Sequence, residues 1–330
     1  MFSQNRARPL TTATIVAALL LAGAFTALDI VPAASQDTLL RAWSVESSDA
    51  LMDPWSGVWS DVKPSVVALS AQNATKPFGG GEVATLKARA LQDGDTLYVH
   101  LEWKDGTRDE TVNGQTVFGD SAAIELPVVP GVAVPSFCMG DANGTVNIWH
   151  WKAVWQADIE SGYSSVRDRY PDGFADDYLL EDDPAYQTAR AAGNILAQKE
   201  HASPVENLVA AAFGTLTTAD LQDIDGSGAW KDGRWRVVFA RPLTTASGYP
   251  SLAAGDSTNI AFAVWDGSKG NRDGIKSVSQ FMNLLVSGSP VPENGGGFPW
   301  WGWLIAAGVV LTFTVSAATA IYAQGGRSRW

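Results

Sequence analysis

The stretch "EVATLKARALQDGDTLYVHLEW", Glu82 to Trp103, decides the fold class. It is two runs in which residues of one character alternate, separated by the turn "QDGD" (Gln92–Asp95). Alternation sends successive side chains to opposite faces of a sheet, and Asp-Gly supplies the turn. The stretch therefore reads as a β-hairpin. "WKDGRWRVVFARPL" (Trp230–Leu243) repeats the pattern around Asp232-Gly233. "DSAAIELP" (Asp120–Pro127), "TVNIWHWKAVW" (Thr145–Trp155) and "STNIAFAVWDG" (Ser257–Gly267) read as further strands. Short strands spaced by turns indicate a mainly β protein, a β-sandwich. Within the body of the chain, "PVENLVAAAFGTL" (Pro204–Leu216) is the stretch that reads as a helix. The Asp-, Tyr- and Ala-rich segment from Asp158 to Pro204 reads as a long insertion over one end of the sandwich.

The chain has 330 residues and a formal net charge of −12, which excludes nucleic acid as a partner because phosphate backbones select Lys/Arg surfaces. A single cysteine excludes an intrachain disulfide, a cysteine-only zinc or iron–sulfur site, and covalent c-type haem.

Both ends carry membrane signals. Arg6 and Arg8 precede an apolar stretch from Ala13 to Leu28, then small residues, so 1–35 reads as a signal peptide or an N-terminal anchor. The body is expected at 36–289. A Gly/Pro-rich linker (290–298) follows it. Residues 299–323 read as a transmembrane helix, with Trp300, Trp301 and Trp303 at one edge and Tyr322 near the other. Arg327 and Arg329 in the tail (324–330) belong on the cytoplasmic side, which puts the body outside the cell membrane, on the periplasmic side.

Soft and aromatic residues crowd into "SFCMGDANGTVNIWHWKAVW" (Ser136–Trp155). Met139 stands in a loop beside Cys138 and Gly140, either as a gap-filler or as the wall of a pocket. His100 and His150 lie on strands, where a histidine is ordinarily a surface or satisfied residue; as a pair they leave a bis-imidazole haem site open. Lys276 follows the glycine-rich loop of "FAVWDGSKGNRDGIKSVSQF" (Phe262–Phe281), where a lysine is ordinarily a solvated charge. "DIDGSG" (Asp223–Gly228) starts like a calcium loop, but its twelfth position is Arg234 rather than a glutamate, and it reads as a turn ahead of the hairpin. No hydrolase, metalloprotease, phosphate-binding or dinucleotide motif is present.

The ordered set "LYVHLEWKDGT", "GDSAAIELP", "CMG", "VNIWHWKAVWQ", "AFGTLT", "GAWKDGRWRVVFARPL" and "FAVWDGSKGNRDGIKSVSQF" resembles the haem-b-binding γ subunits of the ethylbenzene dehydrogenase type. These accompany molybdenum enzymes of the dimethyl-sulfoxide-reductase superfamily. The resemblance implies a sandwich related to DOMON and family-9 carbohydrate-binding domains. It implies one haem b held by a methionine and a lysine, matched here by Met139 and Lys276, with Lys269 as the competing lysine. A haem there would lie between sheet faces lined with tryptophan and valine. Arg272, in the same loop as Lys276, is either a partner for a haem propionate or a surface residue, and His150 is a candidate pocket residue. The function implied is electron transfer between the molybdopterin and iron–sulfur subunits of such a complex and a membrane carrier or cytochrome c. The alternative is a membrane-tethered carbohydrate-binding module without haem. The expected membrane helix departs from the soluble γ subunits.

Overall fold

A computed structural model describes residues 37–112, 114–129, 134–173, 185–245 and 248–292. The expected leader and the membrane span at 299–323 lie outside them. Among the described residues no helix is long and apolar enough to cross a membrane.

The strands are β1 (Leu39–Ser44), β2 (Ser65–Ala68), β3 (Ser70–Ala71), β4 (Thr85–Gln92), β5 (Thr96–Lys104), β6 (Ser121–Pro127) and β7 (Val146–Lys152). They continue with β8 (Val205–Ala210), β9 (Thr217–Thr218), β10 (Asp225–Lys231), β11 (Arg234–Pro242), β12 (Ser257–Trp265), β13 (Ser277–Val278) and β14 (Met282–Pro290). One layer runs β10-β11-β5-β4-β1-β14 and the other β6-β7-β8-β9. β12 joins them: Ser257–Ile260 pair with β14, and Ala261–Trp265 pair with β6. Both hairpins read from the sequence form. Asp232 and Gly233 take φ of 53° and 70°, the pair of positive values that a two-residue hairpin turn requires.

The layers meet face to face over a core that alternation selects. Leu97, Val99, Leu101 and Trp103 of β5 face Ile124 of β6 and Trp149 and Trp151 of β7. Trp151 lies with its ring centroid 5.0 Å from that of Trp235 and 6.4 Å from that of Trp103. A Cβ on Gly228 would fall 2.2 Å from the Trp151 ring, so only glycine lets the indole lie against β10.

Three expectations are corrected. Val205–Ala210 is a strand, not a helix: it pairs with β7 on one edge and β9 on the other. Val205 enters the inter-sheet core while Leu208 and Ala210 pack on the outer face. A strand buried on both faces loses its polar alternation and its period cannot be told from that of a helix. The "DIDGSG" segment enters β10 instead of making a turn, because Asp225–Lys231 pair along β11. The strand read through Trp155 stops at Lys152, where the chain turns into helix α1 (Ala153–Ser161).

Candidate functional site

The outer face of the second layer carries a cavity of about 540 Å³. Its floor comes from the residues that alternation turns away from the core. In one cross-strand row Ala263, Ala123 and His150 lie side by side; in the next, Ala261, Glu125, Ile148 and Leu208. Three alanines make the centre of this floor low and flat, with Trp265 and Val278 packed at its edge.

Met139 borders the cavity from the loop before β7 and packs on this apolar floor. Its φ of 73° is unusual for a residue with a side chain. Such a conformation persists where neighbours over-determine it. Here Gly140 N–H donates to Ser136 O at 3.0 Å and Ser136 N–H to Asp141 Oδ2 at 3.1 Å.

Lys276 borders the same cavity from the segment leading into β13. A tight turn, with Ile275 N–H donating to Arg272 O at 2.8 Å, precedes it. Its carbonyl accepts the Gln72 N–H at 3.1 Å. A Cβ on Gly80 would sit 2.2 Å from the Lys276 carbonyl carbon, so the glycine run 79–81 is what lets the two backbones close on each other. The Gln72 side-chain amide donates to Thr75 O, Pro77 O and Gly274 O, binding the whole assembly together. The Lys276 amine lies 4.9 Å from the Trp265 ring centroid. No carboxylate among the described residues is within ion-pairing distance of it. Burial pushes its pKa down, against the pull of Glu125, Cys138 and Asp273.

His150 and Arg272 line the cavity as well. The His150 ring is tilted against Trp265, 4.8 Å between centroids, and its Nε2 is buried with no partner. Burial holds its pKa well below the usual value, with Lys152 and Lys276 adding to the effect. Arg272 is exposed at the rim, its guanidinium 4.9 Å over the Phe118 ring. Lys269 does not line the cavity; it ends the short turn Gly267–Lys269.

Two expectations about the pocket change. His100 does not reach it. The ring is fully buried on the outer face of the other layer, stacked on Trp59 at 4.9 Å, with Nε2 3.1 Å from Pro54 O. A bis-imidazole site with His150 is therefore ruled out. Nor is the cavity between the layers, because Trp103, Trp149, Trp151 and Trp235 fill that space. Reading the sequence alone missed Gln72, the glycine run 79–81 and Glu125. The three consecutive glycines at 79–81 were the available signal, since such a run marks close approach of two backbones.

The donor set fits a haem. It offers a soft thioether, an amine that burial disposes to be neutral, a flat apolar floor and a cationic rim. The volume falls within the roughly 300–1,000 Å³ of cofactor pockets. Residues 56–277, which include Met139 and Lys276, match the family described as ethylbenzene dehydrogenase. The chain belongs to the ethylbenzene dehydrogenase family. Similar proteins include the chlorate reductase subunit gamma of Ideonella dechloratans, 30% identical over 80% of this chain and 90% of that protein. The dimethylsulfide dehydrogenase subunit gamma of Rhodovulum sulfidophilum is 28% identical over 63% of this chain and 64% of its own length. A Haloferax mediterranei protein, provisionally described as a respiratory nitrate reductase heme subunit, is 27% identical over 86% of this chain and 84% of that one. Among solved structures, a family 9 carbohydrate binding module from Caldicellulosiruptor kristjanssonii in complex with glucose aligns over 78% of this chain and 99% of its own, at 10% identity and a TM-score of 0.39.

Proposed function

We propose that this protein is a haem b electron-transfer subunit, without substrate chemistry of its own, serving a molybdopterin enzyme of the dimethyl-sulfoxide-reductase type. The observation that carries this reading is that Met139 and Lys276, from distant loops, border one flat-floored apolar cavity. Haem b in that cavity would supply a one-electron iron couple. Met139 is the neutral, soft donor, a type that raises the reduction potential. Lys276 is the second donor, and burial favours the unprotonated amine that ligation requires. Arg272 at the rim is placed for a propionate, and His150 contributes ring surface beside the floor. Were Met139 and Lys276 both to hold the iron, no position would be left for a substrate. This arrangement suits electron transfer and little else.

The relatives described as γ subunits of chlorate reductase and dimethylsulfide dehydrogenase support the same assignment. On this reading the protein passes electrons between the molybdopterin and iron–sulfur subunits and a membrane or periplasmic carrier such as a cytochrome c. The main domain lies on the outer side of the cell membrane, with residues 299–323 as its anchor. The sugar-binding alternative lacks a stacking platform. No described tryptophan is exposed, and the two at the cavity are covered: Trp155 by Lys152 and His201, Trp265 by His150 and Lys276.

The test is the visible spectrum of the protein reconstituted with haem. A low-spin spectrum with sharp reduced bands is expected, converted to high-spin or haem-poor by Met139→Ala or Lys276→Ala and unchanged by Lys269→Ala. A colourless protein after reconstitution would rule the reading out.

A further inference from the structure

Glu125 stands where a carboxylate is hardest to account for. It lies in the cavity floor, in register with Ala261 of β12 on one side and Ile148 of β7 on the other, and is only 8% exposed. Its carboxyl borders the cavity together with Met139 and Lys276, its Oε1 is buried with no hydrogen-bond partner, and burial pushes its pKa up to about 8. A buried acceptor left unmade is costly, on the order of 1–3 kcal/mol, and calls for a donor. The buried Lys276 amine borders the same cavity, beyond ion-pairing distance of this carboxyl in the haem-free protein.

We propose that Glu125 is a positioning residue for both axial donors, tying the Met139 loop through its backbone and accepting an N–H of the Lys276 amine when that amine is ligated. The proposal rests on the haem reading above. An amine that gives its lone pair to a metal keeps two N–H bonds, and in an apolar cavity these need acceptors. Once ionised, Glu125 is an anionic acceptor that fixes the orientation of the amine and raises its basicity, as outer partners do at other metal sites. One carboxylate has two oxygens and can serve both donors at once. A glutamine has one oxygen and can serve only one.

Glu125→Gln is therefore the decisive variant, nearly equal in size and shape. Wild type, Glu125→Gln and Glu125→Asp are reconstituted with haem and compared, at a pH above the Glu125 value of about 8 so that the carboxylate is ionised, in spin state, midpoint potential and CO uptake by the ferrous form. Circular dichroism checks the fold of each. In Glu125→Gln a high-spin fraction or lowered haem content is expected, with the potential shifted upward by the lost negative charge. CO uptake should be roughly tenfold faster, as for loss of one hydrogen bond to a charged group. Glu125→Asp, which keeps both oxygens, should recover part of the low-spin spectrum. A folded Glu125→Gln that matches wild type in spin state, CO uptake and potential would overturn the proposal and leave the haem reading standing. A wild type that takes up no haem would overturn both.

Discussion

The backbone N–H of Gln72 donates to the carbonyl oxygen of Lys276 at 3.1 Å, so the segment carrying the candidate amine donor is held by a part of the chain far from it in sequence. Gly80 completes this contact, with φ of +82° and room for no Cβ against the Lys276 backbone. Gly80→Ala should cost more than about 2 kcal/mol, the sum of left-handed strain and a backbone clash, and should weaken haem retention. Gly94→Ala is the control: φ is +101° but nothing lies within 4 Å of the added carbon. It should show only a conformational cost of about 1–2 kcal/mol and normal haem retention. Urea unfolding and haem titration read the two effects separately.

Asp105, Asp120 and Asp266 are buried with carboxylate oxygens within 4.8 Å of one another. Burial raises the pKa of Asp120 to about 7, and that of Asp105 to about 6. Groups with raised folded-state pKa values contribute their full stability below the unfolded value, near 3.8, and lose it as pH rises through the folded value. The thermal midpoint of the haem-free protein should therefore fall as pH rises from about 4 to about 7, to the extent that these groups dominate. Asp105→Asn should flatten the part of this fall between about 4 and 6. It keeps an oxygen for the Thr107 N–H and removes one of three crowded charges. At neutral pH it should stabilise by on the order of 1 kcal/mol. A calorimetric pH series decides both points.

The buried Nε2 of His150 has no partner. His150→Phe should raise the stability of the haem-free protein by about 1 kcal/mol, because it removes a polar atom that burial leaves unpaired. It should also leave the reconstituted protein low-spin. Loss of the low-spin spectrum would make this histidine a ligand.

Trp151 is fully buried between the layers, in contact with Trp103, Trp235 and the bare backbone of Gly228. Trp151→Ala should cost about 3–5 kcal/mol in equilibrium unfolding. The variant should still place the cavity residues correctly where it folds, since these lie on the opposite face of β7. Normal haem uptake in the folded fraction would show this.

What could be read along the chain is what neighbouring residues decide among themselves. The hairpins at Asp93-Gly94 and Asp232-Gly233 declare themselves because turn chemistry and two-residue alternation are local. Met139 and Lys276 could be singled out by their resemblance to a family pattern, without knowing where either side chain sits. Glu125 passes unnoticed in "DSAAIELP", where a glutamate looks like ordinary strand alternation. Only pairing with β7 and β12 turns it into the cavity floor, toward the Met139 loop and the Lys276 amine. The same pairing puts Trp149 and Trp151 inside and Ala123, Ala261 and Ala263 outside, and so moves the pocket from between the layers to the outer face of one of them. It also makes a strand of Val205–Ala210, whose two buried faces erase its period. Period and turn type belong to a segment alone, whereas burial on one face or two belongs to whatever packs against it, and this is why the site needed the assembled sheets to appear.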